Sequence, residues 1–225
     1  MPIASVWAFG IGMACALLNW IAVARQDRGL VYVVKPATLA AFLVGAGLLA
    51  HSTGWGWAAR WFLPALGFSL LGDVLLMLPT ERWFLPGLLA FLVAQACYIV
   101  GLNPTLPPAA SLALVVAILV MDIVVLRPII AGVRRSGAPE LRAPVVVYGA
   151  ILSLTFFSGW ATWFRPAWQP AGRVLVSIGV TLFLASDLML AWTHFVRRSR
   201  TLNVLIMVTY HLAQLALAGV IGVAP

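Results

Sequence analysis

The chain has 225 residues, of which 63% are hydrophobic and 9% charged, and its formal net charge is +8. An ordinary soluble domain carries about 25% charged residues, so the composition excludes one and describes a single integral-membrane domain over 1–225. The basic balance does not indicate nucleic-acid binding, because its placement between apolar runs accounts for it.

A spanning helix needs about 20 mostly apolar residues. Eight such stretches are expected, over 3–24, 30–50, 61–79, 83–101, 108–126, 144–163, 173–192 and 203–223, with Arg, Pro, Gly or Asn in the breaks. Strands of a membrane barrel would read as short alternating segments. These runs are continuous, so the expected fold class is all-α, a polytopic bundle of eight transmembrane helices.

The first run lacks a basic leader and ends at Arg25, so it reads as a retained helix and not a cleaved signal peptide. It carries Cys15, and Asn19 near its end. The second holds Lys35, the sole lysine, just before Pro36; a helix loses a backbone hydrogen bond at such a proline. Lys35 either snorkels to the interface or holds a phosphate or an aspartate. The third run contains Asp73 in FSLLGDVLLML, and the fourth contains Cys97. In the fifth, Asp122 stands five residues before Arg127 and is expected to pair with it at the interface. Tyr148 lies near the start of the sixth, and the seventh contains Asp187 in LFLASDLMLAW. In the eighth, Tyr210 and Gln214 are four apart and share a face, with His211 about 100° round. His51 and His194 fall at helix ends and read as interfacial.

The first, third, fifth and seventh connections hold ten arginines (Arg25, Arg28, Arg82, Arg127, Arg134, Arg135, Arg142, Arg197, Arg198 and Arg200), against three on the other side (Arg60, Arg165 and Arg173). This bias puts the Arg-rich side in the cytoplasm and both termini outside, in the cell (inner) membrane. The arginines would also attract anionic headgroups. Trp55, Trp57, Trp61, Trp83, Trp163, Trp168 and Trp192 lie near segment ends. They read as an interfacial belt, with a choline-binding cage as the alternative for one or two.

Carboxylates at membrane depth cost roughly 2.5–3.5 kcal/mol on insertion scales, which makes each a functional hypothesis. Asp73 and Asp187 are 114 positions apart, close to half the chain, and follow the small residues Gly72 and Ser186. A duplicated four-helix unit, giving two parallel repeats, is one reading of this spacing. Counting from Pro79 and Trp192 puts the carboxylates about 9 Å and about 7–8 Å from the Arg-rich ends of their helices. Lys35, Asp122, Tyr148, Tyr210, His211, Gln214 and Asn19 fall in the same slab, so one polar cavity is expected there. Two acids in one cavity suit general acid/base work, one protonated and one ionised. Three scattered histidines and two cysteines have no ligand spacing, so no metal and no cofactor are expected. No P-loop, serine elbow or CxxC appears.

The residues also resemble a known family. Val34-Lys35-Pro36, Leu71–Met77 around Asp73, Phe91–Tyr98, Tyr148, Phe183–Leu190 around Asp187, and Tyr210 with Ala213-Gln214 are similar, in this order, to the YhhN-type membrane proteins. That family often has His where this chain has Gln95. The family includes the lysoplasmalogenases. The resemblance implies hydrolysis of the vinyl-ether bond of a membrane lyso-phospholipid, a lysoplasmalogen. The products would be a fatty aldehyde and glycerophosphocholine or glycerophosphoethanolamine. Asp73 and Asp187 would be catalytic. Lys35, Tyr148, Tyr210, Gln214, Ser186, Tyr98, Gln95 and Asn19 would contact the substrate. A neutral Asp would protonate the vinyl carbon. An ionised Asp would stabilise the oxocarbenium ion and deprotonate water, with neither role assigned to either residue.

The competing expectation is a proton-coupled transporter of a small polar or amphipathic solute, which membrane-depth carboxylates in parallel repeats suit equally. A retinal-binding photoreceptor is disfavoured, because the sole lysine lies in the second helix.

Overall fold

The computed structural model describes residues 1–135 and 139–225. Its helices are α1 (Ile3–Arg25), α2 (Arg28–Thr53), α3 (Trp57–Met77), α4 (Phe84–Leu102), α5 (Ala113–Arg135), α6 (Arg142–Ala161), α7 (Pro170–Phe195) and α8 (Arg200–Val220). All eight are long and apolar enough to cross a membrane, and no strand occurs among the described residues.

Local chemistry sets several boundaries. Gln26 takes the left-handed conformation (φ 60°) that ends α1, and one residue later the Asp27 carboxylate accepts the Leu30 amide to cap α2. The Ser199 hydroxyl accepts the Leu202 amide to cap α8. Pro170 occupies the first turn of α7, where its missing N–H is no loss.

The fifth helix departs most from the sequence reading. It was expected over 108–126 and runs Ala113–Arg135, straight through Pro128. Arg127 and Pro128 look like a break, but proline is tolerated inside membrane helices, where neighbours re-satisfy the freed carbonyl. Pro36 and Pro64 also lie inside α2 and α3. The extension moves Asp122 to the middle of α5. There it accepts a hydrogen bond from the Ser153 hydroxyl of α6 at 2.7 Å. It does not make the expected pair with Arg127, which sits about 140° round the helix from it.

Sequential helices pack as antiparallel hairpins, α1 on α2, α3 on α4 and α7 on α8. Contacts between the chain's halves run α4 to α6, α2 to α8, α1 to α8 and α3 to α8. Small residues allow the close approaches. A Cβ on Gly12 would come 2.5 Å from the Phe42 ring, and one on Gly72 2.6 Å from the Phe91 ring. An aromatic cluster fills the bundle's middle. Phe91, Tyr98 and Tyr210 each meet Phe183 at 5.8–6.4 Å between ring centroids, all edge to face. Trp55, Trp57, Trp163 and Trp192 are exposed as a belt requires, whereas Trp168 is buried. Cys15 and Cys97 are free thiols.

Candidate active site

The apolar helices bring three of their charged side chains, Lys35, Asp73 and Asp187, to one place. A cavity of about 200 Å³ opens among α2, α3, α4, α6, α7 and α8 at the Arg-rich end of the bundle. Asp73 and Asp187 both line it, together with Lys35, Tyr148, Ser186 and Tyr210. The walls between them are apolar: Leu76, Leu88, Phe91, Leu190 and Ile206.

The two carboxylates have different partners. Asp73 is nearly fully buried, and its Oδ1 lies 2.9 Å from the Lys35 ammonium. Its Oδ2 accepts the Tyr210 hydroxyl at 2.8 Å. Tyr210 starts deep in α8 and still reaches Asp73, because helical side chains lean toward the N-terminus, here the Arg-rich end. Asp187 accepts the Tyr148 hydroxyl. Among the described residues, the Lys35–Asp73 pair is the only ion pair found.

Phe91, Tyr210 and Phe183 stack edge to face beneath Asp73 and close the cavity toward the bundle's middle. Gly72 makes this possible, since only a residue without Cβ lets Phe91 of α4 lie against α3 beside the aspartate. Ser186, next to Asp187, donates to the Ile206 carbonyl at 3.3 Å.

Of the residues expected to contact substrate, Lys35, Tyr148, Tyr210 and Ser186 line the cavity. Lys35 holds an aspartate and does not snorkel. Gln95, Tyr98, Gln214 and Asn19 lie outside the cavity wall, all buried. Tyr98 donates to the Gln214 Oε1 at 2.8 Å, behind Tyr210. Gln95 lies beside Tyr148. Neither amide atom of Asn19 has a hydrogen-bond partner among the described residues. Buried and polar, these four were indistinguishable by sequence from cavity residues. His211 is also buried and accepts the Trp20 indole N–H at 3.1 Å.

Counting from helix ends misjudged the depths. Asp73 stands four residues, about 6 Å, from the end of α3, and Asp187 eight residues, about 12 Å, from the end of α7. Their shared cavity, and not equal distance from the helix ends, is what unites them. His194 lies exposed at the end of α7, as an interfacial residue does, and also lines the same wall with Phe84 and Phe195. The signal was present in sequence: Asp187, Leu190, Ala191 and His194 recur at helical spacing along one face.

The chain is 32% identical over 187 residues to a protein of Mycobacterium bovis named lysoplasmalogenase, covering 81% of this chain and 68% of that one. A Mycobacterium tuberculosis protein of the same name matches to the same extent. The human protein named lysoplasmalogenase TMEM86B is 31% identical over 153 residues, 67% of this chain and 58% of that one. No solved structure matches the chain. Residues 30–221 match the YhhN family, and the chain belongs to that family.

Proposed function

We propose that the protein hydrolyses the vinyl-ether bond of lysoplasmalogens at the inner leaflet, with Asp187 as the acid and Asp73 as the fixed negative charge. One observation carries the reading: two aspartates from distant helices line one cavity, and among the described residues only one of them is matched by a cation. The relatives named lysoplasmalogenase support the substrate class.

The ammonium at 2.9 Å favours the charged form of Asp73. Asp187 has a phenol as partner and a carboxylate across the cavity, so a second negative charge there is disfavoured. Asp187 thus holds a proton to give. It protonates the vinyl carbon remote from the ether oxygen, and the carbon–carbon π pair forms the new C–H bond. The adjacent carbon becomes part of an oxocarbenium ion. Asp73 faces this cation as a preorganised negative charge.

Water then adds to the oxocarbenium carbon and loses a proton to Asp187, now a carboxylate. Asp73 is the poorer acceptor, because Lys35 and Tyr210 occupy its two oxygens. The hemiacetal passes its hydroxyl proton to the glycerol oxygen through Asp187, the C–O bond breaks, and aldehyde and alcohol leave. Asp187 ends each cycle protonated as it began.

Purified protein in detergent, given vinyl-ether, alkyl-ether and ester lyso-lipids side by side, tests this. Aldehyde release from the vinyl ether alone is expected. Ester cleavage, or no turnover of any substrate, would overturn the reading. Turnover without a gradient also separates hydrolysis from transport.

A further inference from the structure

We propose that Gln214, oriented by Tyr98, is a positioning residue for the reaction: its amide donates to the Tyr210 oxygen and so keeps Asp73 the ionised member of the pair. The inference rests on the vinyl-ether reading and deepens it, because it names what holds the two aspartates in different states besides Lys35.

A chain of polar groups runs inward from the cavity. The Tyr210 hydroxyl donates to Asp73 Oδ2 at 2.8 Å, and the Lys35 ammonium lies 2.9 Å from Oδ1. Gln214 follows one turn further along α8, beside Tyr210. Its Oε1 accepts the Tyr98 hydroxyl at 2.8 Å. Its Nε2 is buried and has no hydrogen-bond partner among the described residues. A buried N–H is costly to leave unpaired, and a phenol oxygen that gives away its hydrogen keeps lone pairs to receive another. The Tyr210 oxygen is such an acceptor, and a small rotation of the amide closes the contact.

The sense of the chain matters more than its strength. Tyr98 turns its hydrogen to Oε1, which leaves the amide its N–H to offer Tyr210. Tyr210 then has Asp73 as the acceptor for its own hydrogen. Both Asp73 oxygens thus face donors, and an ammonium has no lone pair to receive a proton from them. A flipped amide would accept the Tyr210 hydrogen and release Oδ2, but it would take the acceptor away from the Tyr98 hydroxyl. Hydrogen bonds aligned in one sense also polarise one another, here toward the carboxylate.

Asp187 lacks this device. Gln95 lies beside Tyr148 as Gln214 lies beside Tyr210. Both of its amide atoms are without hydrogen-bond partners among the described residues, so no neighbour fixes which end of the amide faces Tyr148. The Tyr148 hydrogen can go to Asp187 or to Gln95 Oε1. In the second case Asp187 holds the proton that it gives to the vinyl carbon.

Steady-state aldehyde release from a lysoplasmalogen tests this, with Gln214→Met made both in the wild type and in Tyr210→Phe. Methionine matches glutamine in length and carries no donor. In the wild type the substitution is expected to lower kcat about tenfold per folded molecule with KM unchanged, because Gln214 does not line the cavity. In Tyr210→Phe, where no hydroxyl remains to be oriented, it should lower kcat by no more than about twofold. Tyr98→Phe keeps the ring contacts with Phe62 and Phe183 and removes only the hydroxyl. It should lower kcat about threefold, again only where Tyr210 is present, and it carries the test if Gln214→Met does not fold. An unchanged kcat, or an equal fall in both backgrounds, would overturn the proposal, since an amide with a structural role alone acts with or without the Tyr210 hydroxyl. A raised KM at unchanged kcat would overturn it too, by making Gln214 a substrate contact. Each of these outcomes leaves the hydrolase reading standing. No aldehyde from the wild type would overturn that reading and this proposal with it.

Discussion

Replacing each aspartate by asparagine should give two different proteins. Asp73→Asn keeps side-chain volume and an acceptor for Tyr210, but strands the Lys35 ammonium, whose side chain is 10% exposed. Removing one partner of a buried ion pair costs about 3–5 kcal/mol. For a chain of this size that is roughly 6–20 °C in Tm, on the scale of soluble domains. Asp187→Asn keeps an acceptor for Tyr148 and strands no cation, so its stability should change by less than about 1 kcal/mol. Aldehyde release should fall in both. Loss of a positioned general acid is worth about 10²–10⁴ in rate, and loss of a preorganised charge about 10²–10³. Thermal unfolding of detergent-purified variants, followed by tryptophan fluorescence, measures the first quantity, and mass-spectrometric aldehyde release the second. Adding Lys35→Met to Asp73→Asn should restore most of the lost Tm without restoring turnover. Equal Tm losses in the two single variants would refute the argument from unequal partners. Turnover above about a tenth of wild type in Asp187→Asn would refute its role as acid.

Tyr148→Phe removes the hydroxyl that donates to Asp187; kcat should fall about tenfold with little change in KM, read from steady-state aldehyde release. Ser153→Ala deprives Asp122 of its donor within the bundle and should lower stability by about 1–3 kcal/mol. Because Asp122 does not line the cavity, its turnover per folded molecule should stay at the wild-type level. Gly72→Ala drives a Cβ to 2.6 Å from the Phe91 ring, which Phe183 and Tyr210 hold in place. Overpacking of this kind costs about 1–3 kcal/mol, and a displaced cavity wall should raise KM for long-chain substrates, measured across a chain-length series.

The helical fold was legible because a spanning helix announces itself by length and composition alone, and so were the two aspartates, because a carboxylate is costly at that depth. Boundaries set by proline were not legible. Pro128 reads as a stop in a soluble chain, and α5 runs through it. The choice among buried polar residues was also hidden. Tyr210 and Gln214 share a helical face, yet Tyr210 lines the cavity and Gln214 receives Tyr98 behind it. Their difference is one turn of depth, and sequence periodicity reports direction around the helix, not position along the bundle. Lys35 carried three readings because only the packing of α2 on α3 decides whether its stem points outward or inward.

The pairing of the aspartates bears on the two-repeat reading. Asp73 and Asp187 are 114 positions apart, and the side chains that grip them, Lys35 and Tyr148, are 113 apart. In each half the carboxylate of the third helix is met by a side chain from the second helix, near that helix's Arg-rich end. One pair of contacts between the halves is symmetric, α4 against α6 and α8 against α2, whereas the packing of α1 and α3 on α8 belongs to one side only. A pair of identical acids related by symmetry would be poor acid/base machinery, because equal environments give equal proton affinities. An amine at one gripping position and a phenol at the other removes the equivalence. In the proposed mechanism this difference, more than the number of carboxylates, decides which aspartate gives the proton. The asymmetry extends to the fourth helix of one half, because Asp73 also accepts the Tyr210 hydroxyl of α8, and among the described residues no α4 side chain bonds Asp187 in return.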